Sequence, residues 1–183
     1  MEPARLRLGE FAKIVGEPKE TIRTLIWRGE APFPKEPQEG AQRTYDGADL
    51  LAWMLFTRLR DVGVGARLAG ETVLCSDVVQ QFFDRIARNE GVSDFHLVLF
   101  NEEHRDKDGS IKRTVWQTTG ASDDIAAFLK KGADLYGQET DRGRVLLGIP
   151  ALTAVAVRPC HDRCCAALLE HGFVMNGATL LEA

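Results

Sequence analysis

Two short helices, each closed by a glycine and separated by one tight turn, constrain the first third of this chain more than any other feature. Leu8, Phe11, Ala12, Ile14 and Val15 recur close to helical spacing, and Gly16 supplies the permissive backbone that a helix–helix turn requires. Pro18 suits the first turn of the next helix, where its missing N–H is not needed. In that helix Ile22, Leu25 and Ile26 share one face, while Glu20, Arg23, Thr24 and Trp27 fall on the other with Lys19 at its edge; Gly29 follows. A loop with Pro32, Pro34, Pro37 and Gly40 comes next, then strand-like Gln42-Arg43-Thr44-Tyr45. Asp46, with Asp49 three residues on, predicts an N-cap and capping box for a helix that carries Leu50, Leu51, Trp53, Met54, Leu55, Phe56 and Leu59. That helix should end near Asp61-Val62-Gly63, with a short fourth helix through Ala66, Arg67 and Leu68.

This order describes a helix-turn-helix followed by a wing. A recognition helix docks by one face and enters the major groove with the other. Lys19 and Arg23 are placed to reach base edges or phosphates, and Lys19, Thr21, Arg23 and Arg28 are the candidate contacts on the second helix. The alternative is that Lys19, Arg23 and Arg28 only solvate a surface face. Trp27 also has two readings: packing on a neighbouring helix or the wing, or contact with DNA. A short hairpin at 42–45 would set Arg43 and Tyr45 beside the phosphate backbone.

The run Leu8 to Ala69 resembles the winged-helix domain of the MerR family of transcription regulators. The matching marks are Gly9-Glu10-Phe11-Ala12, Gly16, Thr21-Ile22-Arg23, Gly29, Arg43-Thr44-Tyr45, Asp49-Leu50 and Arg58-Leu59-Arg60-Asp61-Val62-Gly63-Val64. The segments Gly29 to Pro34 and Asp49 to Trp53 are also similar to excisionase and AlpA-type modules. The resemblance implies a winged helix-turn-helix with DNA contacts at Arg23, Arg43 and Tyr45. The chain departs from the family at Thr24, Leu25 and Ile26, where an aromatic pair and an acid are common.

Charge adds a qualification. The net charge is −4 over 183 residues. Residues 1–70 hold 11 Lys/Arg against 10 Asp/Glu, a net +1, and residues 71–183 hold 12 against 17, a net −5. Neutralised phosphates supply most non-specific affinity, so +1 is a thin footprint and affinity should lean on dimerisation. The chain has no apolar run near the roughly 20 residues that span a bilayer and no apolar signal core after Glu2. With Cys160, Cys164 and Cys165 crowded together, a reducing cytoplasm is the expected compartment.

Glu71 to Asn89 reads as one amphipathic helix, with Leu74, Val78, Phe82 and Ile86 every four residues. The resemblance implies a dimerising helix here; the alternative is packing on the chain's own C-terminal part. Beyond it, Phe95 to Phe100 reads as a buried strand, Asp108-Gly109 as a turn, Ile111 to Thr118 as the returning strand, and Ser122 as the cap of a helix ending at Gly132. Residues 133–144 read as loop, Leu152 to Val157 as a strand, Pro159 to His171 as a helix, and Phe173 to Leu181 as a hairpin about Asn176-Gly177. No known family is recognised in this part.

The cluster Cys160-His161-Asp162-Arg163-Cys164-Cys165 puts 160 with 164 and 161 with 165 on helix faces. Thiolates and imidazole suit zinc or copper, but the same cysteines continue an apolar face into Leu168 and Leu169, where cysteine is a small hydrophobe. Glu102 to Gly109 lacks full calcium-loop spacing and reads as a solvated hairpin tip. No catalytic motif stands out, so no enzyme is expected. The expected fold is α+β: a winged-helix domain at 1–70, a connecting or dimerising helix at 71–90, and an α+β effector or dimerisation domain at 91–183. The expected function is a homodimeric, sequence-specific regulator on double-stranded DNA. An excisionase-like architectural factor and a metal or small-molecule sensor are the alternatives.

Overall fold

The structure, a computed structural model, describes residues 3–34, 43–134, 137–138 and 144–183. The fold is α+β. Its elements divide between two compact units, one made of residues 1–93 with 157–183 and the other of residues 94–156.

In the first unit, β1 (Leu6–Arg7) leads into α1 (Leu8–Val15), and α2 (Lys19–Arg28) follows the turn. Gly16 and Gly29 both end their helices at positive φ, 71° and 68°, as left-handed C-caps that glycine takes without strain. β2 (Thr44–Tyr45) pairs antiparallel with β1, Leu6 opposite Tyr45. The expected strand thus finds its partner at the start of the chain; the hairpin expected at its other side, with Gln42, Pro37 and Gly40, lies outside the described residues. α3 (Gly47–Asp61) starts at the predicted box: an Asp46 carboxylate oxygen accepts from Ala48 and Asp49 N–H, and Asp49 accepts from Asp46 N–H. Phe11, Phe33, Tyr45, Trp53 and Phe56 form one aromatic core, with Phe11 stacked on Tyr45 at 4.3 Å and Phe33 on Trp53 at 5.8 Å.

The amphipathic run after residue 65 is two helices, α4 (Ala66–Cys75) and α5 (Val78–Ala87), instead of the single helix expected from 71 to 89. The break has a local cause. Asp77 takes a left-handed backbone at φ 51°, and the Ser76 hydroxyl donates to the Val73 carbonyl. Gln81 then donates to the Ser76 carbonyl at 3.1 Å across the gap. Leu74 falls outside the stripe and is exposed, while Val78, Phe82 and Phe83 are buried.

The chain's last helix and hairpin belong to this same unit, which corrects the expected 91–183 domain. α7 (Val157–Glu170) packs along α3 and touches α1, and β6 (Phe173–Asn176) pairs with β7 (Thr179–Glu182) about a turn at Gly177-Ala178, one residue beyond the expected Asn176-Gly177. The hairpin is fastened beside β1 and at the start of α3: Ala4 N–H donates to Leu180 O at 2.8 Å, and Gly47 N–H to Ala178 O at 3.0 Å. Gly47 is required there, since a Cβ would lie 2.8 Å from the Ala178 oxygen. Leu168, Cys164 and Leu180 are fully buried, so residues 157–183 complete the core of the first unit.

The second unit is an antiparallel sheet in the order β4-β3-β5, from β3 (His96–Arg105), β4 (Ile111–Gly120) and β5 (Val145–Ala156), with α6 (Ser122–Ala133). Leu97 to Phe100 are buried along the central strand. Ser122 does not cap α6 as expected: its N–H and hydroxyl both donate to the Asp94 carboxylate, at 2.9 and 2.5 Å, and hold that carboxyl below its ordinary range. Asp94 therefore serves the helix N-terminus from outside. Part of the expected 133–144 loop lies outside the described residues.

Candidate nucleic-acid interface

α2 presents its outer face to solvent because its inner face is fixed by Ile22 and Leu25, both buried. Residues 20, 23, 24 and 27 follow the i, i+3, i+4, i+7 pattern of one helical stripe, and all four are exposed. Trp27 is 83% exposed, so neither a neighbouring helix nor β2 covers it. Arg23 donates to Glu20 at 2.7 Å, an exposed pair of the kind that contributes about 0–1 kcal/mol and exchanges readily for a better partner. Thr24 turns its hydroxyl to the Glu20 carbonyl at 2.8 Å. Arg28 is exposed in the last turn, where a cation suits the helix dipole. Thr21 is half-buried and lies off the outer stripe.

Lys19 does more than edge this face. It lines a cleft of about 360 Å³ with Arg7, Leu8, Gly9, Glu10, Lys13 and Arg23, where the starts of α1 and α2 meet. Lys19 lies close over Gly9, where a Cβ would stand 3.0 Å from its Nζ atom. Glu10 is occupied locally, accepting the Arg7 N–H at 2.8 Å as part of the α1 capping box. Four cationic side chains thus converge on one cleft beside the exposed stripe, the arrangement that receives a phosphate backbone. Arg7 and Lys13 were not expected here. The signal was their placement at the entry and on the polar face of the first helix, next to the turn that brings α2 alongside.

Arg43 and Tyr45 do not stand where the wing reading put them. Tyr45 is 1% exposed, its ring stacked on Phe11. The Arg43 guanidinium lies 4.6 Å from the Phe33 ring centre and 5.2 Å from that of Tyr45. It donates to the Pro34 carbonyl and to Asp49, each at 3.0 Å, and its side chain is only 16% exposed. Burial raises the Asp49 carboxyl, the Asp46 charge raises it further, and Arg43 opposes both. An Arg-x-Tyr motif after a loop reads as an interface in sequence, yet here both side chains close the aromatic core and fasten the loop to α3.

The cysteine cluster sits on α7 and splits between two faces. Cys160 and Cys164 are buried, and burial pushes both thiols up, Cys164 most. Cys165 Sγ lies 3.7 and 3.8 Å from the two ring nitrogens of His161, whose ring leans on Phe82 at 5.1 Å and Phe83 at 6.0 Å. Burial also lowers the His161 imidazole. The apolar face of α5 therefore meets its own chain at α7. Among the described residues no group of three or more His, Cys, Asp or Glu is disposed to hold a metal ion. In native protein at pH 8 a thiol reagent should modify exposed Cys75 first, while Cys160 and Cys164 resist until denaturant is added. Rapid modification of all four thiols would contradict this packing.

Among the described residues no helix is long and apolar enough to cross a membrane. No curated protein matches the chain. Residues 6–70 match the family described as MerR HTH family regulatory protein. With two glycine-closed helices, a capped third helix and the exposed α2 stripe in place, residues 6–70 are a MerR-family helix-turn-helix domain.

Proposed function

We propose that the chain is a cytoplasmic, sequence-specific regulator of transcription that binds double-stranded DNA and performs no catalysis. The observation that carries this reading is the exposed outer face of α2, with its basic cleft, in a MerR-family helix-turn-helix domain. Lys19 and Arg23, with Arg7 and Lys13, take phosphates or base edges, and Arg28 supports them from the last turn of α2. The regulator has no resident metal, because Cys160 and Cys164 serve as buried apolar groups.

The same reading includes a homodimer. The thin +1 balance of residues 1–70 favours two reading heads over one. With the α5 stripe turned to α7, the dimer contact falls to the second unit. There Trp116 and Leu152 stand on either side of Phe100 in register across the sheet and remain 48% and 43% exposed.

Duplex selection from a random pool, followed by binding at two salt concentrations, tests the proposal. Arg23→Ala and Lys19→Ala should each weaken binding about tenfold, and each lost phosphate contact should lower the salt slope by about 1. Sedimentation of the free chain should show a dimer. Failure to enrich any duplex, or full binding by the Arg23→Ala, Lys19→Ala double variant, would refute DNA reading through α2.

A further inference from the structure

Trp27 is the largest group on the α2 stripe and stands opposite the buried pair Ile22 and Leu25, where, among the described residues, no side chain covers it. An indole offers more apolar surface than almost any other side chain, and its exposure points to something that covers it in use. Its neighbours on the stripe restrict what that is. Thr24 has its hydroxyl engaged by the Glu20 carbonyl, so the methyl is its free group. Arg23 is held by Glu20. Two of the four outward residues therefore present apolar groups, flanked by the cations of Lys19 and Arg28 and by the basic cleft.

A surface whose C-terminal half is apolar, at Thr24 and Trp27, with the cations of Lys19, Arg23 and Arg28 around it, fits a polyanion with an apolar group in its groove. Double-stranded DNA has one such group on the major-groove edge, the C5-methyl of thymine. A second copy of this chain is a poorer occupant, because it would crowd two sets of Lys19, Arg23, Arg28 and the cleft's Arg7 and Lys13 into one contact against Glu20 and Glu10, which are already engaged locally. We propose that Trp27, with the Thr24 methyl, reads thymine through its methyl group and so sets part of the sequence preference. This rests on the DNA-binding reading above and adds a base-reading residue to it.

The test uses the full chain and the duplex recovered by random-pool selection. Thymines in that duplex are replaced one at a time by uracil, which removes only the methyl. The wild-type chain should lose about fourfold in affinity for each methyl that Trp27 covers, the value of one buried carbon. Trp27→Ala should bind the thymine duplex more weakly by a similar factor and be indifferent to uracil at those positions. Trp27→Phe should keep part of the sensitivity. Because the side chain is exposed, the melting temperature of each variant should match wild type, so a loss of binding reports contact and not folding.

Equal uracil effects on wild type and Trp27→Ala, or an unchanged selected motif for Trp27→Ala, would overturn the assignment while leaving DNA binding intact. A shift of Trp27→Ala from dimer to monomer in sedimentation would overturn it in favour of a second copy. If neither protein enriches any duplex, DNA reading itself fails and the role of Trp27 fails with it.

Discussion

Gly70→Ala should destabilise the protein by about 2–3 kcal/mol, the upper part of the usual range of about 1–3 kcal/mol for forcing extra volume into a packed site. The direction is informative because alanine in a helix interior is ordinarily favoured over glycine by about 1 kcal/mol. In α4 the Gly70 backbone runs against the loop that leaves α2. A Cβ there would stand 2.2 Å from the Glu30 carbonyl oxygen and 2.9 Å from its carbon. The loop has little room to retreat, since the Glu30 and Ala31 N–H groups both donate to the Leu25 carbonyl, at 2.8 and 3.2 Å. Relief must therefore come from shifting α4 or from unlocking the end of α2. Urea denaturation of the two proteins measures the difference. A variant as stable as wild type would show that α4 and the Glu30 loop are not in this contact. A folded variant with weakened DNA binding would show that the displacement passes into α2.

Arg43→Ala should cost about 2–3 kcal/mol, below the roughly 3–5 kcal/mol seen when one member of a fully buried pair is removed, because both side chains keep some solvent. What remains is an Asp49 carboxylate in a half-dry site that has lost its own cation, with Asp46, still paired to Arg5, beside it. The pH dependence has a definite sign. The folded state raises the Asp49 pKa above its unfolded value of 3.8, so it holds that proton more tightly than the unfolded chain does. Charged Asp49 therefore weakens folding at neutral pH, and the penalty fades as pH falls through the raised value. In Arg43→Ala the rise is larger, so its deficit against wild type should shrink on acidification. Adding Asp49→Asn should recover part of the loss at pH 7, because the amide oxygen can still cap α3. At a temperature where the variant stays folded, its salt slope on DNA should equal that of wild type. A slope lower by about 1 would return Arg43 to a phosphate.

The parts of this fold that show in the sequence are those whose physics is local. Gly16 and Gly29 end their helices where expected, and Asp46 with Asp49 caps α3 as the spacing predicts. The hairpin forms where Asn176-Gly177 signals one, but one residue later: Asn176 pairs with Thr179 and the two turn residues are Gly177 and Ala178. The parts that did not show depend on partners far away in the chain. β2 pairs with Leu6–Arg7, across some forty residues. The close approaches at Gly70 and Gly47 involve Glu30 and Ala178, which no periodicity connects to them. Arg43 escapes the sequence for another reason: its neighbours Phe33, Tyr45 and Asp49 lie within ten residues, but an arginine's spacing does not tell stacking on buried rings from contact with a phosphate. On α2, by contrast, spacing alone assigns Arg23 and Trp27 to the outer face, and the exposure of Trp27 depends on what the rest of the domain leaves uncovered.

The return of residues 157–183 to α1 and α3 bears on how the protein is made. On the ribosome the helix-turn-helix segment emerges early, but the face of α3 that α7 covers stays open until the second unit and α7 have followed. A nascent chain halted near residue 93 exposes that apolar surface and lacks the clasp from Ala178 and Leu180. Folding of the first unit is thereby tied to synthesis of residues 157–183, and a chain terminated within the second unit leaves an apolar face of α3 uncovered and prone to aggregation or proteolysis.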